Sequence, residues 1–573
     1  MARDRRTWGR VFALIGAGAL AVAACGGDDS DDGAAPDTVE SAGSADATNG
    51  DATGATTAGT AAAGPGDTTG DRPASTQADS PGTTAAGETG EPAGGYDLDA
   101  SMTFMYLTAA SSNYDPVTGG TFSQLYMYPA LDALFRLRDG QPEPALASGY
   151  EVSDDGLTAT LTIRDGVSFH DGTPLDAAAV VANIERAKTL ETSTVANQLT
   201  SIDTATAVDA STVEIALTAP DAALPAILAD RAGMMLSPAT FDRDDIALNP
   251  VGAGPYAIVE HQPGDFIRYE RFADYWDPEV AKLAELTIRI QTDDNTRLTA
   301  LRSGDVDAAP IPPTLLPTAE GEGLEVEAFQ TGATFMTYLN MATPPLDDPL
   351  VRRAMSLAID REGINQALEA GTCTPSNQAL SPPNWAHDPD ATTEWYQYDP
   401  DRARELLAEA GHPDGFEISM VVFPTPSYVA RAEAVQAQLA EIGVDVALAA
   451  VEGAQVTEQF RVNKTAAAYT TLFPGEADPA IAVGRLYGPT GTLNPGGTVN
   501  PEIAALMADG LTASEADRAA IYQQIGSIAA DQVLHIPLCG ATTLVAQQRG
   551  VVGIEANNLD ILDLSRAGIL AGD

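Results

Sequence analysis

Between Gly26 and Gly95 the chain carries no aromatic residue and one basic residue, Arg72. Its Gly, Ala, Thr, Ser, Pro and Asp cannot bury enough apolar surface to offset chain entropy, so this stretch is expected to stay disordered. Any fold must therefore be built from Tyr96 onward. As a tether, roughly 70 such residues give a mean reach of about 45 Å. The Thr-rich tracts also permit an O-glycosylated stalk, and the two readings are compatible.

Ahead of the tether, Arg3, Arg5, Arg6 and Arg10 precede an apolar run from Val11 to Ala24. That run is roughly 14 residues long, short of the about 20 that span a bilayer. Its length and flanks are those of a signal peptide, placed at residues 1–24. It ends Val22-Ala23-Ala24-Cys25-Gly26, which resembles a bacterial lipobox. The resemblance implies cleavage before Cys25, diacylation of that cysteine, and attachment to the outer face of the cell membrane. A coincidental cysteine behind an ordinary signal is the competing explanation. Arg5-Arg6 leaves the export route open between the general and the twin-arginine pathways.

A formal net charge of -51 repels phosphate backbones, so nucleic acid is not expected as a partner. Cys25, Cys373 and Cys539 fit no zinc or redox spacing, and five scattered histidines include no i, i+4 pair. No metal and no cofactor is expected. Gly-x-Ser-x-Gly elbows, phosphate loops, His-Glu-x-x-His and Ser-x-x-Lys sets do not occur in a supporting context. Carboxylates are abundant, but nothing singles out a catalytic pair. The expectation is a binding protein and not an enzyme.

From Tyr96 on, strand and helix signals alternate. Thr158–Ile163 has period two, the mark of a half-buried strand. Thr173-Pro174-Leu175-Asp176 reads as a capping box led by Thr173, with Val180, Val181, Ile184 and Ala187 along one face. Residues 417–423, 428–442 and 444–451 read as strand, helix and strand, a unit that implies parallel pairing. Asp399-Pro400 opens a helix that Gly411 stops. The mixture predicts an α/β fold.

Several stretches, in order, resemble the extracellular solute-binding proteins of the peptide, opine and nickel class (family 5) that serve ATP-binding-cassette importers. The run Glu151-Val152-Ser153-Asp154-Asp155-Gly156-Leu157 continues into Leu161 through Phe169-His170-Asp171-Gly172-Thr173-Pro174-Leu175. Then come Asn249-Pro250-Val251-Gly252-Ala253-Gly254-Pro255-Tyr256, Asp274-Tyr275-Trp276 and Arg302-Ser303-Gly304-Asp305-Val306-Asp307. Val351-Arg352-Arg353-Ala354, Ala358-Ile359-Asp360-Arg361 and Tyr398-Asp399-Pro400 complete the series. Each stretch also has a plain structural explanation. His170 sits in turn chemistry and is expected to hydrogen-bond locally. Pro255 removes a donor, so the Gly252–Gly254 segment is a bend and not a phosphate cradle.

The resemblance implies a two-lobed periplasmic-binding-protein-like fold (type II, large variant) with a hinge of two crossing segments. Lobe I would span 96–334, with a subdomain at about 140–250. Lobe II would span 335–537, and residues 538–573 would return to lobe I. The crossings would lie near Tyr338-Leu339-Asn340 and near Pro537 to Thr542. Ligand contacts would fall at Thr121 and Phe122, at Phe335 to Tyr338, and at Phe473, Gly475 and Glu476. In oligopeptide binders the last segment carries an Asp for the peptide's amine; here that position is Gly475, which puts a free amine in doubt unless Glu476 substitutes. Asp478-Pro479 is expected to cap the next helix. The partners implied are a small solute, the permease subunits and the membrane through the lipid, with the protein a monomer. A sensing or adhesin-type lipoprotein is the alternative. A bond between Cys373 and Cys539 would pin lobe II to one crossing strand; two free buried thiols are the other possibility.

Overall fold

The computed structural model describes residues 95–107, 113–138, 140–391 and 393–572. The signal peptide, Cys25 and all but the last residue of the tether lie outside the described residues.

One sheet runs through the molecule. Its order is Val444–Ala450, Phe416–Val422, Ala468–Phe473, Glu325–Leu339, His535–Gln547, Ala308–Ile311, Ser101–Tyr106, Glu285–Ile290, Phe266–Arg271 and Tyr256–Gln262. Two long antiparallel strands, Glu325–Leu339 and His535–Gln547, pair along most of their length. Ala308–Ile311 joins the sheet beside 544–547, and Ala468–Phe473 beside 334–339. The two strands thus leave one half of the molecule and enter the other. Between Gln330 and Thr334 the register slips, opposite Thr542 and Gly540. A slip of this kind bends a strand, and it falls where the halves meet.

Each half has its own core. Met102, Phe104, Tyr256, Ile267 and Leu286 pack in the first. In the second, Leu339, Val351, Ile418 and Val444 pack on one face of the sheet. Met336, Tyr338, Tyr469 and Phe473 pack on the other. A four-stranded sheet, ordered Ala147–Val152, Thr158–Ile163, Thr212–Leu217 and Ile202–Ala207, closes a further core against the helix Ala177–Thr189.

Local chemistry accounts for the elements. In Thr158–Ile163 the side chains of Ala159, Leu161 and Ile163 are buried, as period two requires. Phe416–Val422 and Val444–Ala450 pair in parallel across the helix Pro426–Glu441. Asp399 caps Pro400–Glu409 by accepting the Arg402 N–H at 2.9 Å. Asp478 caps Pro479–Tyr487 by accepting the Ala480 N–H at 2.8 Å.

Two local readings change. The cap of Ala177–Thr189 is Asp176, which accepts the Ala179 N–H at 2.9 Å, and not Thr173. Leu175 N–H already bonds Val167 O, which keeps the chain extended for one more residue, and the Thr173 hydroxyl turns to Asp171 at 2.6 Å. His170 does not bond locally. Its Nε2 lies 2.9 Å from Gly254 O, and its backbone N–H bonds Gly252 O. A Cβ at Gly254 would overlap the backbone of Ala130, so the bend packs backbone on backbone.

Cys373 and Cys539 are joined in a disulfide, with Cα atoms 5.8 Å apart. It ties the short strand Thr374–Pro375 to the returning strand at Cys539 and Gly540.

His535, at the start of that strand, is buried between Tyr338 and Tyr487. Leu339 N–H donates to its Nδ1 at 3.2 Å, so the ring carries its proton on Nε2, which faces Leu486 O at 3.4 Å. Burial, aided by nearby Arg352, pushes the ring pKa down to about 4. The unfolded chain takes this proton near pH 6.5 and the folded chain does not. Stability is therefore present above that pH and is lost as pH falls toward 4. About 2 kcal/mol should disappear between pH 8 and pH 5. Urea midpoints at both pH values, compared with His535→Gln, measure the share; an identical pH slope in the variant would remove the assignment.

Candidate functional site

The halves meet where the two long strands cross. A hairpin from the first half, with Glu555–Ala556 paired to Leu562–Asp563, carries its tip, 557–561, to that crossing. The tip is rigid. Asn557 Oδ1 accepts the N–H groups of Leu559 and Ile561 at 3.0 and 3.1 Å, and Asp560 N–H bonds Asn557 O at 3.1 Å. Asn557 Nδ2 donates to Tyr128 Oη at 2.6 Å, and Tyr128 donates to Gln124 Oε1 at 2.6 Å. The hairpin tip is thereby tied to the turn that begins at Thr121.

Asn558 fits between two glycines. A Cβ on Gly332 would stand 2.6 Å from Asn558 O, and one on Gly475 would overlap the same oxygen more severely. Gly475 also has φ +79°, where an L side chain is strained. Gly332 lies in the register slip; Gly475 belongs to the second half, just after Phe473. The backbone of one half is thus in direct contact with the backbone of the other.

The crossing brings together only some of the residues named from sequence. Phe335 is half-buried beside it, with the Arg431 guanidinium 3.7 Å over its ring and Tyr428 at 6.5 Å. Arg431 is neutralised by Glu369 at 2.5 Å, both side chains being buried. Tyr338 does not join Phe335. Three residues apart on a strand they face opposite sides, and Tyr338, 1% exposed, packs on Tyr469 and His535. Phe473 is likewise sealed in the core on Tyr338's side of the sheet. Glu476 is buried and ion-paired with Arg485. Thr121 is half-buried and the Phe122 ring is 49% exposed.

Several residues at the crossing went unnoticed in the sequence: Tyr106, Tyr128, Tyr428, Arg431 and the tip residues Asn557, Asn558 and Asp560. The run Asn557-Asn558-Leu559-Asp560 is turn chemistry that could have marked a hairpin tip. Burial raises the hydroxyl pKa of Tyr106 and Tyr428, and the carboxylate of Asp560 adds to both shifts. Burial also raises Asp560 itself, against the hydroxyls of Thr543 and Thr331 that stabilise its ionised form.

The halves touch again away from the crossing. Ala222 N–H bonds Leu511 O at 3.2 Å, while Arg518 reaches Ala222 O at 3.4 Å and Asp478 at 2.6 Å. A cavity of about 570 Å³ lies beside these bonds, walled by Tyr150, Pro220, Pro225, Leu511 and Arg518. Among the described residues, no group of three or more His, Cys, Asp or Glu could hold a metal, and no helix is long and apolar enough to cross a membrane.

The profile of the bacterial extracellular solute-binding proteins, family 5 (middle region), matches residues 141–494. The chain is 36% identical over 362 residues to the glutathione-binding protein GsiB of Salmonella typhimurium, covering 61% of this chain and 70% of that one. The periplasmic binding protein DppA of Helicobacter pylori, associated with an ABC transporter and solved with the peptide STSA, superposes with a TM-score of 0.71 at 22% identity, covering 82% of this chain and 98% of the other. NikA of Brucella suis, solved with Fe(III)-EDTA, superposes with a TM-score of 0.74 at 22% identity, covering 82% and 100%.

Proposed function

Because the chain belongs to the bacterial extracellular solute-binding proteins of family 5, the extracytoplasmic receptors of ABC importers, we propose that it encloses a small peptide-like solute between its lobes and hands it to a permease. One observation carries this reading: a hairpin tip, two crossing strands and the Gly475 loop converge at one point between separate cores. Such a point can bend without breaking either core, which is what closure around a ligand requires. The glutathione-binding relative and the peptide-bound neighbour make peptides and glutathione the first solutes to try.

In this reading lobe I is 96–334, lobe II is 335–537, and 538–573 return to lobe I. The first crossing lies at 330–334 rather than at Tyr338-Leu339-Asn340, because Tyr338 and Leu339 are locked in the second lobe's cores, whereas Gly332 sits in the slipped register. The second crossing, 540–542, faces it. Phe335 and Gly475 contribute to the ligand wall. Thr121 and Phe122 do so through the turn tied to Asn557. Tyr338, Phe473 and Glu476 act from behind it, by holding the strand and the Gly475 loop. Cys25 would hold the protein on the outer face of the membrane, and the stretch to Gly95 would let the lobes reach the permease as a monomer. Nothing in the task calls for stabilising a transition state: the protein binds and releases, without turnover.

Mass spectrometry of the full chain, purified from a detergent extract under native conditions, tests both halves of the proposal. A uniform extra mass released on denaturation is the expected solute, and a diacylglycerol on the N-terminal cysteine is the expected anchor. Added glutathione or a dipeptide at 100 times its Kd should then raise stability by about 2.7 kcal/mol. A chain with no co-purified molecule and no shift with any peptide, sugar or chelate would sink the solute-capture reading.

A further inference from the structure

Away from the crossing, the part of lobe I that carries the four-stranded sheet grips lobe II through one short turn. Asp221 Oδ1 accepts the Ala223 N–H at 3.0 Å, and its Oδ2 accepts the Ser201 hydroxyl at 2.6 Å. The turn is thereby fixed to its own lobe. Both backbone groups of Ala222 bond lobe II: its N–H donates to Leu511 O at 3.2 Å, and its O accepts from Arg518 Nη1 at 3.4 Å.

Arg518 is 6% exposed and Asp478 is 3% exposed. The guanidinium answers several acceptors at once: Nε donates to Gly510 O at 3.1 Å, Nη2 to Asp478 at 2.6 Å, and Nη1 to Ala222 O. Asp478 neutralises it and also caps the helix Pro479–Tyr487. In the first turn of that helix, Ala480 and Ile481 pack against the core closed by the four-stranded sheet. The cavity of about 570 Å³ beside these contacts is walled from both lobes, so next to the bonds the seam is open space rather than packed core. A seam of this kind opens by breaking few contacts. The same loop reaches the crossing: Gly475-Glu476-Ala477-Asp478 meets Asn558 at one end and Arg518 at the other.

We propose that Arg518 and the Ala222 turn form a latch that holds the lobes together over the bound solute and sets how fast it leaves, without touching it. The inference rests on the solute-capture reading above and adds the element that times release. Closure is favoured only by what the closed form gains over the open one, and contacts between lobes count toward that gain as ligand contacts do. A contact made only after closure slows opening, so its loss speeds dissociation and leaves association nearly unchanged. Arginine suits the place. Its planar fork serves Asp478, Gly510 and Ala222 together, which a lysine ammonium on a flexible stem cannot match. Arg518 is thus a positioning residue that acts on the solute through the closed geometry of the lobes.

The test compares the full chain with its Arg518→Lys variant, which keeps a cation beside Asp478 and so keeps lobe II folded. Stopped-flow dissociation of glutathione and of Met-Leu reads release, and hydrogen exchange of the Ala222 amide reads the seam with no solute present. The variant should release a bound probe on the order of 10-fold faster at an unchanged association rate, as expected for one lost hydrogen bond to a charged group. Its Ala222 amide should also exchange on the order of 10-fold faster, with the urea midpoint unmoved. A saturating probe should slow that amide in the wild type. A merely structural Arg518 would instead lower the urea midpoint and leave release and Ala222 exchange as they are. Wild-type release together with wild-type exchange in the variant overturns the inference. Should neither probe bind, the solute identified by mass spectrometry takes their place. A chain that binds nothing ends the solute-capture reading, and Ala222 exchange alone then decides whether the seam opens through Arg518.

Discussion

Gly475→Ala should lose solute binding by on the order of 100-fold while its lobes remain folded. Two physical terms act at that position. At φ +79° an L residue costs about 1–2 kcal/mol over glycine. The new methyl would also overlap the carbonyl oxygen of Asn558 in the opposite lobe. The Asn558 backbone cannot retreat cheaply, since Asn557 bonds Leu559, Ile561 and Tyr128 and so fixes the tip. Separation of the lobes is the cheapest relief. A penalty of about 3 kcal/mol on the closed form lowers apparent affinity by roughly 150-fold, because only the closed fraction encloses ligand. Gly484→Ala is the control: it lies in the following helix with open space around its Cβ position and should bind as the wild type does. Calorimetric titration of both variants decides the matter. Full affinity in Gly475→Ala would mean that the Asn558 contact is not part of the ligand-bound form.

The second large effect is on stability. Replacing Cys373 and Cys539 together by Ser should cost up to about 5 kcal/mol, because the bridge closes a loop of 166 residues in the unfolded chain. That sum approaches the whole stability of many domains. The bridge also has a location that matters: it holds Thr374–Pro375 against Gly540, next to the second crossing. Both cysteines are buried, so a reductant should act slowly on the native protein and quickly in urea. Urea midpoints with and without dithiothreitol measure the effect, and thiol titration of the oxidised, unfolded chain checks the premise. Two reactive thiols in that chain, or a midpoint unmoved by reduction, would contradict the assignment.

The legible parts of the structure were those set by neighbours in sequence. Thr158–Ile163 alternates because each strand residue flips face, and the helix after Asp399-Pro400 starts there because a carboxylate can answer the Arg402 N–H. The Thr173 cap was misplaced because the choice between Thr173 and Asp176 depends on a bond from Leu175 to Val167, which is a fact of folding back. His170 likewise found its partner at Gly254.

The candidate site divides the same way. Ordered motifs identified the family. Gly475 could be named from its place in a motif, but why it must be glycine could not: the oxygen that excludes a side chain belongs to Asn558, far along the chain. Phe335 and Tyr338 were grouped because the family resemblance places ligand contacts along that segment, yet strand geometry sends them to opposite faces. Asp560 gave no signal because an acid in a turn is ordinary until its surroundings are known. Propensity, caps and periodicity act over a few residues, so one chain read in order determines them. Burial, charge compensation and the meeting of two lobes depend on contacts between distant residues, so only the tertiary structure could decide them.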